Sequence, residues 1–164
     1  MKLSSIYNFV PFIFLVSLVL ISSCSDDETS PNPVEENATI WTGADLTFTK
    51  ADGADPTLEA NQDRLTDNVW ITRGNGGGQI FNVQSESSAD KDNSPSGTRW
   101  AIGNINNIDQ LQFQRFRDAV GSPRDVVGED LVLFLQEDNI YLSVRFTSWS
   151  QGGEGGFSYM RSTP

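Results

Sequence analysis

The sequence contains no histidine and a single cysteine, Cys24, in 164 residues. The first absence excludes Ser-His-Asp and Cys-His catalysis, histidine general bases and histidine-ligated zinc or iron. The second excludes an intramolecular disulfide, so stability has to come from a packed core. Lysine is nearly as scarce. Beyond Lys2 only Lys50 and Lys91 occur, which leaves a Ser–Lys dyad few candidates and no surrounding motif. Positive charge is in deficit, with 11 basic against 22 acidic side chains and a net charge of −11. Nucleic acid asks for basic clusters, so that class of partner is excluded. No apolar run reaches the roughly 20 residues that a membrane-spanning helix needs.

The longest apolar run lies at the start of the chain. Lys2 precedes the stretch Phe9 to Ile21, which is broken by Pro11 and Ser17 and followed by Ser22, Ser23 and Cys24. A positive start, an apolar middle and small residues form the secretory signal pattern. Ile21-Ser22-Ser23-Cys24 resembles the lipobox of bacterial lipoproteins. That resemblance implies cleavage after residue 23 and a fatty-acylated lipid joined to the Cys24 sulfur as a thioether. The alternatives are a retained membrane helix or ordinary secretion with Cys24 unpaired. Each buried acyl CH₂ contributes about 0.8 kcal/mol, so several chains on one residue anchor a protein firmly. Ser25-Asp26-Asp27-Glu28 resembles the acidic patch of surface-exposed lipoproteins of Bacteroidota, which implies an outer-membrane anchor with the domain facing outward. Cleavage leaves 141 residues with 10 basic and 22 acidic side chains, a net charge of −12. An anionic membrane surface would repel such a chain, so the lipid must do the anchoring.

Three segments are expected: a signal peptide over 1–23, lipidated Cys24 with an acidic tether over 24–38, and one domain over 39–164. The tether holds Pro31 and Pro33 and too little apolar surface to fold. Alternating polar and apolar residues at Asp45–Lys50 read as a strand, and shorter strands are expected at 69–72, 79–83, 98–102 and 110–113. Phe113, Phe116, Ala119 and Val120, with Gly121 as a stop, allow one short helical turn. Leu131, Leu133 and Leu135 on one strand and Ile140, Leu142, Val144 and Phe146 on the next predict a hairpin over 130–149. Its turn holds either two residues, Asp138-Asn139, or four, because an even loop keeps the two apolar faces together. Val132 and Phe134 make the first strand apolar on both sides, so it is expected to lie centrally. Short strands with Gly, Asn, Asp and Pro between them indicate an all-β fold. It is either a single antiparallel sandwich, jelly-roll-like, or a partly closed barrel, with at most one short helix.

Carboxylates are the one class of catalytic group left. A glycosidase needs two of them about 5–9.5 Å apart, and Glu86, Glu129 and Asp130 fall near strand ends. Solubilising charge is the favoured account of them. Asp52, Asp55 and Asp63, with Asn61 and Gln62 between, offer oxygens for a structural Ca²⁺, although the spacing is not that of an EF-hand. Asp90, Asp92 and Asn93 form a weaker second set. Gly74-Asn75-Gly76-Gly77-Gly78 and the glycines of 152–156 read as turns between strands, since neither has the Gly-Lys-Ser/Thr ending of a phosphate loop. Trp70 and Trp100 are expected in the core. Tyr141, Arg145 and Trp149 fall on the mixed face of the second hairpin strand and form a candidate ligand surface. Tyr141 and Trp149 are about 26 Å apart along a straight strand, so a polymer could touch both but a small ligand could not.

Asp52-Gly53-Ala54-Asp55-Pro56, Asn61-Gln62-Asp63, Asn68 to Gly74 and Phe157-Ser158-Tyr159 with Arg161-Ser162 together resemble a β-rich domain that recurs in secreted and cell-surface bacterial proteins. The likeness spans about residues 40–164. It implies location and modular use and carries over no catalytic residue. The expected function is that of a non-catalytic surface module, anchored in the membrane by its lipid, that binds a glycan or a protein. The alternatives are a polysaccharide hydrolase working through two carboxylates and a purely structural envelope lipoprotein. No cofactor is expected beyond the candidate calcium.

Overall fold

The computed structural model describes residues 34–164; the expected signal peptide, Cys24 and tether residues 25–33 lie outside the described residues. Among these residues the strands are β1 (Thr39–Trp41), β2 (Leu46–Lys50), β3 (Asp63–Arg64), β4 (Trp70–Arg73), β5 (Ile80–Asn82), β6 (Thr98–Ile102), β7 (Asp130–Leu135), β8 (Ile140–Trp149) and β9 (Phe157–Arg161). One α-helix, α1 (Phe116–Val120), and short 3-10 turns join them. The larger sheet has the antiparallel order β2-β9-β8-β7-β6, and the smaller has the order β3-β4-β5. β1 runs parallel to the first three residues of β8, on the edge that β9 occupies farther along. The fold is all-β and sandwich-like, and the described strands close no barrel.

β7 shows why. Leu131, Leu133 and Leu135 point into a core shared with Leu65, Val69, Ile71 and Ile80 from the smaller-sheet side. Val132 and Phe134 point the other way, into a second core with Ala101, Ile108, Phe113 and Tyr141. A strand that buries both faces has to be central, and β7 lies between β6 and β8. Complete burial of each such side chain contributes about 1.5–3 kcal/mol. The hairpin takes the four-residue connection, 136–139, with Leu135 opposite Ile140 and Leu133 opposite Leu142. Asn139 holds the turn at φ 53°, in the left-handed region that asparagine tolerates. Asp138 accepts hydrogen bonds from Thr66 Oγ1 at 2.7 Å and Asn68 Nδ2 at 2.9 Å, which ties the turn to the loop before β4.

The structure departs from the sequence reading in three places. Residues 110–113 are not a strand. Asn104 caps a 3-10 segment by accepting from the Asn106 amide, and only Gln114 bridges to Trp100. Trp70 is half-buried rather than in the core, with the Arg64 guanidinium 4.2 Å from its ring centroid. Among the described residues, packed contacts occur within the stretch expected as tether, ahead of Thr39. Val34 and Ala38 lie against the second core, and Asn139 Nδ2 donates to the Glu36 carbonyl. The short helix is as expected, ending at Gly121 with φ 68°.

Candidate functional site

The residues expected to form a ligand face do not share one. A β-bulge at Thr147 is the reason. Phe146 pairs with Tyr159 and Ser148 with Ser158, so β8 spends two residues on one step of β9. The extra residue reverses the alternation beyond it. Trp149 therefore turns to the main core, with its ring 5.7 Å from Phe146 and 6.1 Å from Phe157. Tyr141 remains on the opposite side and is buried, stacked on Phe134 at 4.2 Å. Burial pushes its phenol above the ordinary value. Arg145 is exposed and pairs with Asp130.

The three carboxylates expected to bind calcium are likewise kept apart. Asp55 is exposed and accepts from the Thr57 amide and hydroxyl, which hold its carboxyl below the usual range. Asp52 is exposed as well. Asp63 is buried and already satisfied. Arg161 reaches it through Nε at 2.8 Å and Nη2 at 2.9 Å, and the Tyr159 hydroxyl donates to it at 2.7 Å. This network fastens β3 of the smaller sheet to β9 of the larger. Among the described residues no group of three or more acidic, histidine or cysteine side chains is placed to hold a metal. Asp90 accepts from the Asp92 amide and the Asn93 side chain, and these bonds lower its carboxyl. Glu86 accepts from the amides of Asn82 and Ser96 and so ties two loops together. Glu129 and Asp130 are exposed.

The Asp63 network makes the fold sensitive to alkali. Burial first, and then the Asp63 charge, push the Tyr159 phenol well above its ordinary value near 10. The unfolded chain therefore releases this proton first. The stability it contributes is complete below about pH 10 and is lost as pH rises beyond that. Lys50, whose pKa burial lowers, acts in the opposite sense. Melting curves of the native chain and Tyr159→Phe at matched pH cancel that contribution. The expected result is a steeper loss of stability above pH 10 in the native chain. Parallel curves would refute it.

The chemistry collects elsewhere. A cavity of about 240 Å³ is lined by Arg73, Arg117, Arg124 and Trp149 together with Gly78 and the segment 150–152. The lining holds three arginines and no carboxylate, in a chain whose acidic residues outnumber its basic ones two to one. Each arginine arrives by a separate route. Arg73 ends β4 and is only 2% exposed. Its Nε donates to the Gly78 carbonyl at 3.0 Å, and its Nη1 to the carbonyls of Ser150 at 2.8 Å and Gly156 at 2.9 Å. Its guanidinium lies 4.2 Å from the Trp149 ring centroid, a contact that the bulge makes possible. Nη2 donates to no described protein group. Arg117, on α1, is oriented by the buried Gln79, whose Oε1 accepts from Nε at 3.0 Å. Both of its terminal nitrogens are left without an acceptor among the described residues. Arg124 meets only Asp125, at 3.6 Å, in a solvent-exposed pair.

A second buried cation lies behind Arg73. Lys50 is 1% exposed, and its Nζ donates to Asn75 Oδ1 at 2.8 Å and to the Gly155 carbonyl at 3.3 Å. Burial and the Arg73 charge lower its pKa, while Asp52 and Asp55 oppose them. Burial also pulls the Arg73 guanidinium down, and Asp52 again opposes it. Asp52 forms an ion pair with neither, so backbone carbonyls do most of the work of holding these cations. Those carbonyls belong to the two glycine-rich loops, which lie against each other over the pair. A second cavity, of about 160 Å³, is lined by Asp45, Asp130 and Arg145, and its single cation is already neutralised by Asp130.

Sequence reasoning missed Arg117, Arg124 and Lys50 as site residues. Arg117 and Arg124 flank Gly121 in a chain poor in cations, and that was the available signal. Arg73 joins them only through the fold. Comparison with protein-family models, with curated proteins and with solved structures found no match.

Proposed function

We propose that this chain is an outward-facing outer-membrane lipoprotein, anchored through Cys24, whose sandwich domain is a non-catalytic module that captures an extracellular glycan in the arginine-lined cavity. One observation carries the reading: the chain enters the domain at one end of β8, and the cavity lies at the other. Glu35, Glu36 and Thr39 meet Tyr141 and Asn139 at the start of that strand. Trp149, Ser150, Gln151 and Gly152 line the cavity at its finish. Ten residues of β8 separate the two ends by about 30 Å. The covalent link from Cys24 to Val34 spans at most about 35 Å. A lipid at Cys24 then keeps the entry end within that reach of the bilayer, and the cavity lies at the end of the strand farther along the chain from the anchor.

A glycan suits the site better than a protein does. The cavity is smaller than the roughly 300–1,000 Å³ of pockets for drug-sized ligands, so it accepts one ring or one functional group of a longer molecule. A stable protein partner covers about 800 Å² of surface. Mass spectrometry of the native protein should find the chain starting at Cys24 with a diacylglycerol in thioether linkage to its sulfur. Protease added to intact cells should remove the domain. An unprocessed start, or a domain protected in intact cells, would refute the location. A glycan array with no binding would refute capture.

A further inference from the structure

Resting on that reading of the cavity, we infer that its ligand is an acidic glycan, held by a carboxylate or sulfate group that enters among Arg73, Arg117 and Arg124. Three arginines line one small cavity, and no carboxylate is in the lining with them. The buried Arg161 pairs with Asp63, and the exposed Arg115 and Arg145 pair with Asp118 and Asp130. Arg73 and Arg117 are satisfied differently, by neutral acceptors, while Arg124 has only the exposed Asp125 beside it. Gly78, Ser150 and Gly156 occupy two nitrogens of Arg73, and Gln79 occupies one nitrogen of Arg117. These bonds fix the guanidinium groups of Arg73 and Arg117 in place and leave terminal N–H donors over, while Arg124 is free to close on a ligand. Planar donor forks fixed in advance match carboxylate and sulfate oxygens and lose little entropy when they bind. Lys50, buried behind Arg73, adds positive potential without entering the lining.

The rest of the surface narrows the class of ligand. Arg73 lies over the Trp149 ring at 4.2 Å and takes one face of it away from a sugar. Discrimination then comes chiefly from charge, and a neutral glycan would find less to hold it. The strongly acidic remainder of the chain repels polyanions, which confines such a ligand to this cavity.

The test is titration calorimetry on the full lipidated chain in detergent, with a galacturonate trisaccharide, a sulfated galactose trisaccharide, the neutral galactose trisaccharide and inorganic sulfate. At least one acidic trisaccharide should bind, and the neutral one should bind at least about tenfold more weakly. Arg117→Ala and Arg124→Ala should each weaken the acidic ligand about tenfold, the loss of one charge-assisted hydrogen bond. Arg124 makes no hydrogen bond in the fold, so its variant should melt with the native chain and keep the result interpretable. Equal binding of neutral and acidic sugars would overturn the inference and leave capture standing. Sulfate binding as tightly as any trisaccharide would reduce the site to one for a free anion, which also overturns it. No binding by any saccharide would remove both the inference and the reading beneath it.

Discussion

Replacing Asp63 by alanine should lower the melting temperature by roughly 10–20 °C. Arg161 is 8% exposed and donates twice to Asp63, with Trp41 beside it at 5.7 Å. The buried Tyr159 hydroxyl donates to the same carboxylate. Removing one partner of a buried pair strands the other charge at a cost of about 3–5 kcal/mol. For a domain of this size each kcal/mol moves the melting temperature by about 3–5 °C.

The double variant Asp63→Leu with Arg161→Met should recover most of the loss, because two apolar side chains leave no charge to strand. A fall of less than about 3 °C in Asp63→Ala would show that water reaches Arg161 and that the network does not join the sheets. Calcium is a separate question that the same assay answers. If Arg161 and Tyr159 satisfy Asp63, chelator should leave the melting temperature of the native chain unchanged. A chelator-dependent fall that vanishes in Asp63→Ala would instead assign the carboxylate to a metal.

Asp63 also marks the limit of what could be read without the fold. Its neighbours in sequence, Asp52, Asp55 and Asn61, made it one of several oxygens in a loop. Its partners lie 96 and 98 residues away, on β9. β7 was legible because its signal is local: an unbroken apolar run can only be central. The hairpin was legible in its faces and open in its turn, since loops of two and four residues obey the same parity. Trp149 was misplaced by one residue. Parity along β8 holds only while the ladder is regular, and nothing in Phe146-Thr147-Ser148 announces a bulge. Because of that bulge the tryptophan packs against the core and meets Arg73 instead of joining Tyr141. The cavity was out of reach for a different reason: its arginines come from β4, from α1 and from the turn after it, and no spacing in sequence relates them.

The glycine-rich loops are read differently once that packing is known, and a pair of substitutions tests it. Gly53 and Gly155 both have a positive φ, 68° and 72°. Alanine at either position carries the strain of a side chain in the left-handed region, about 1 kcal/mol or somewhat more. The space around them differs. A Cβ on Gly53 would meet nothing within 4 Å. A Cβ on Gly155 would lie 2.7 Å from the Gly74 carbonyl oxygen and hard against the Asn75 side chain. That side chain is the acceptor for Lys50 Nζ, so displacing it unseats a buried cation as well as a loop. Overpacking adds about 1–3 kcal/mol, and an unsatisfied buried donor adds a similar amount. Gly53→Ala should therefore melt within about 5 °C of the native chain, and Gly155→Ala at least about 10 °C below it. Because Gly156 accepts from Arg73, the same shift should loosen the cavity and weaken ligand binding in Gly155→Ala alone. Equal effects of the two substitutions would mean that these glycines serve only the turns they sit in, and that the loops do not lock the cations in place.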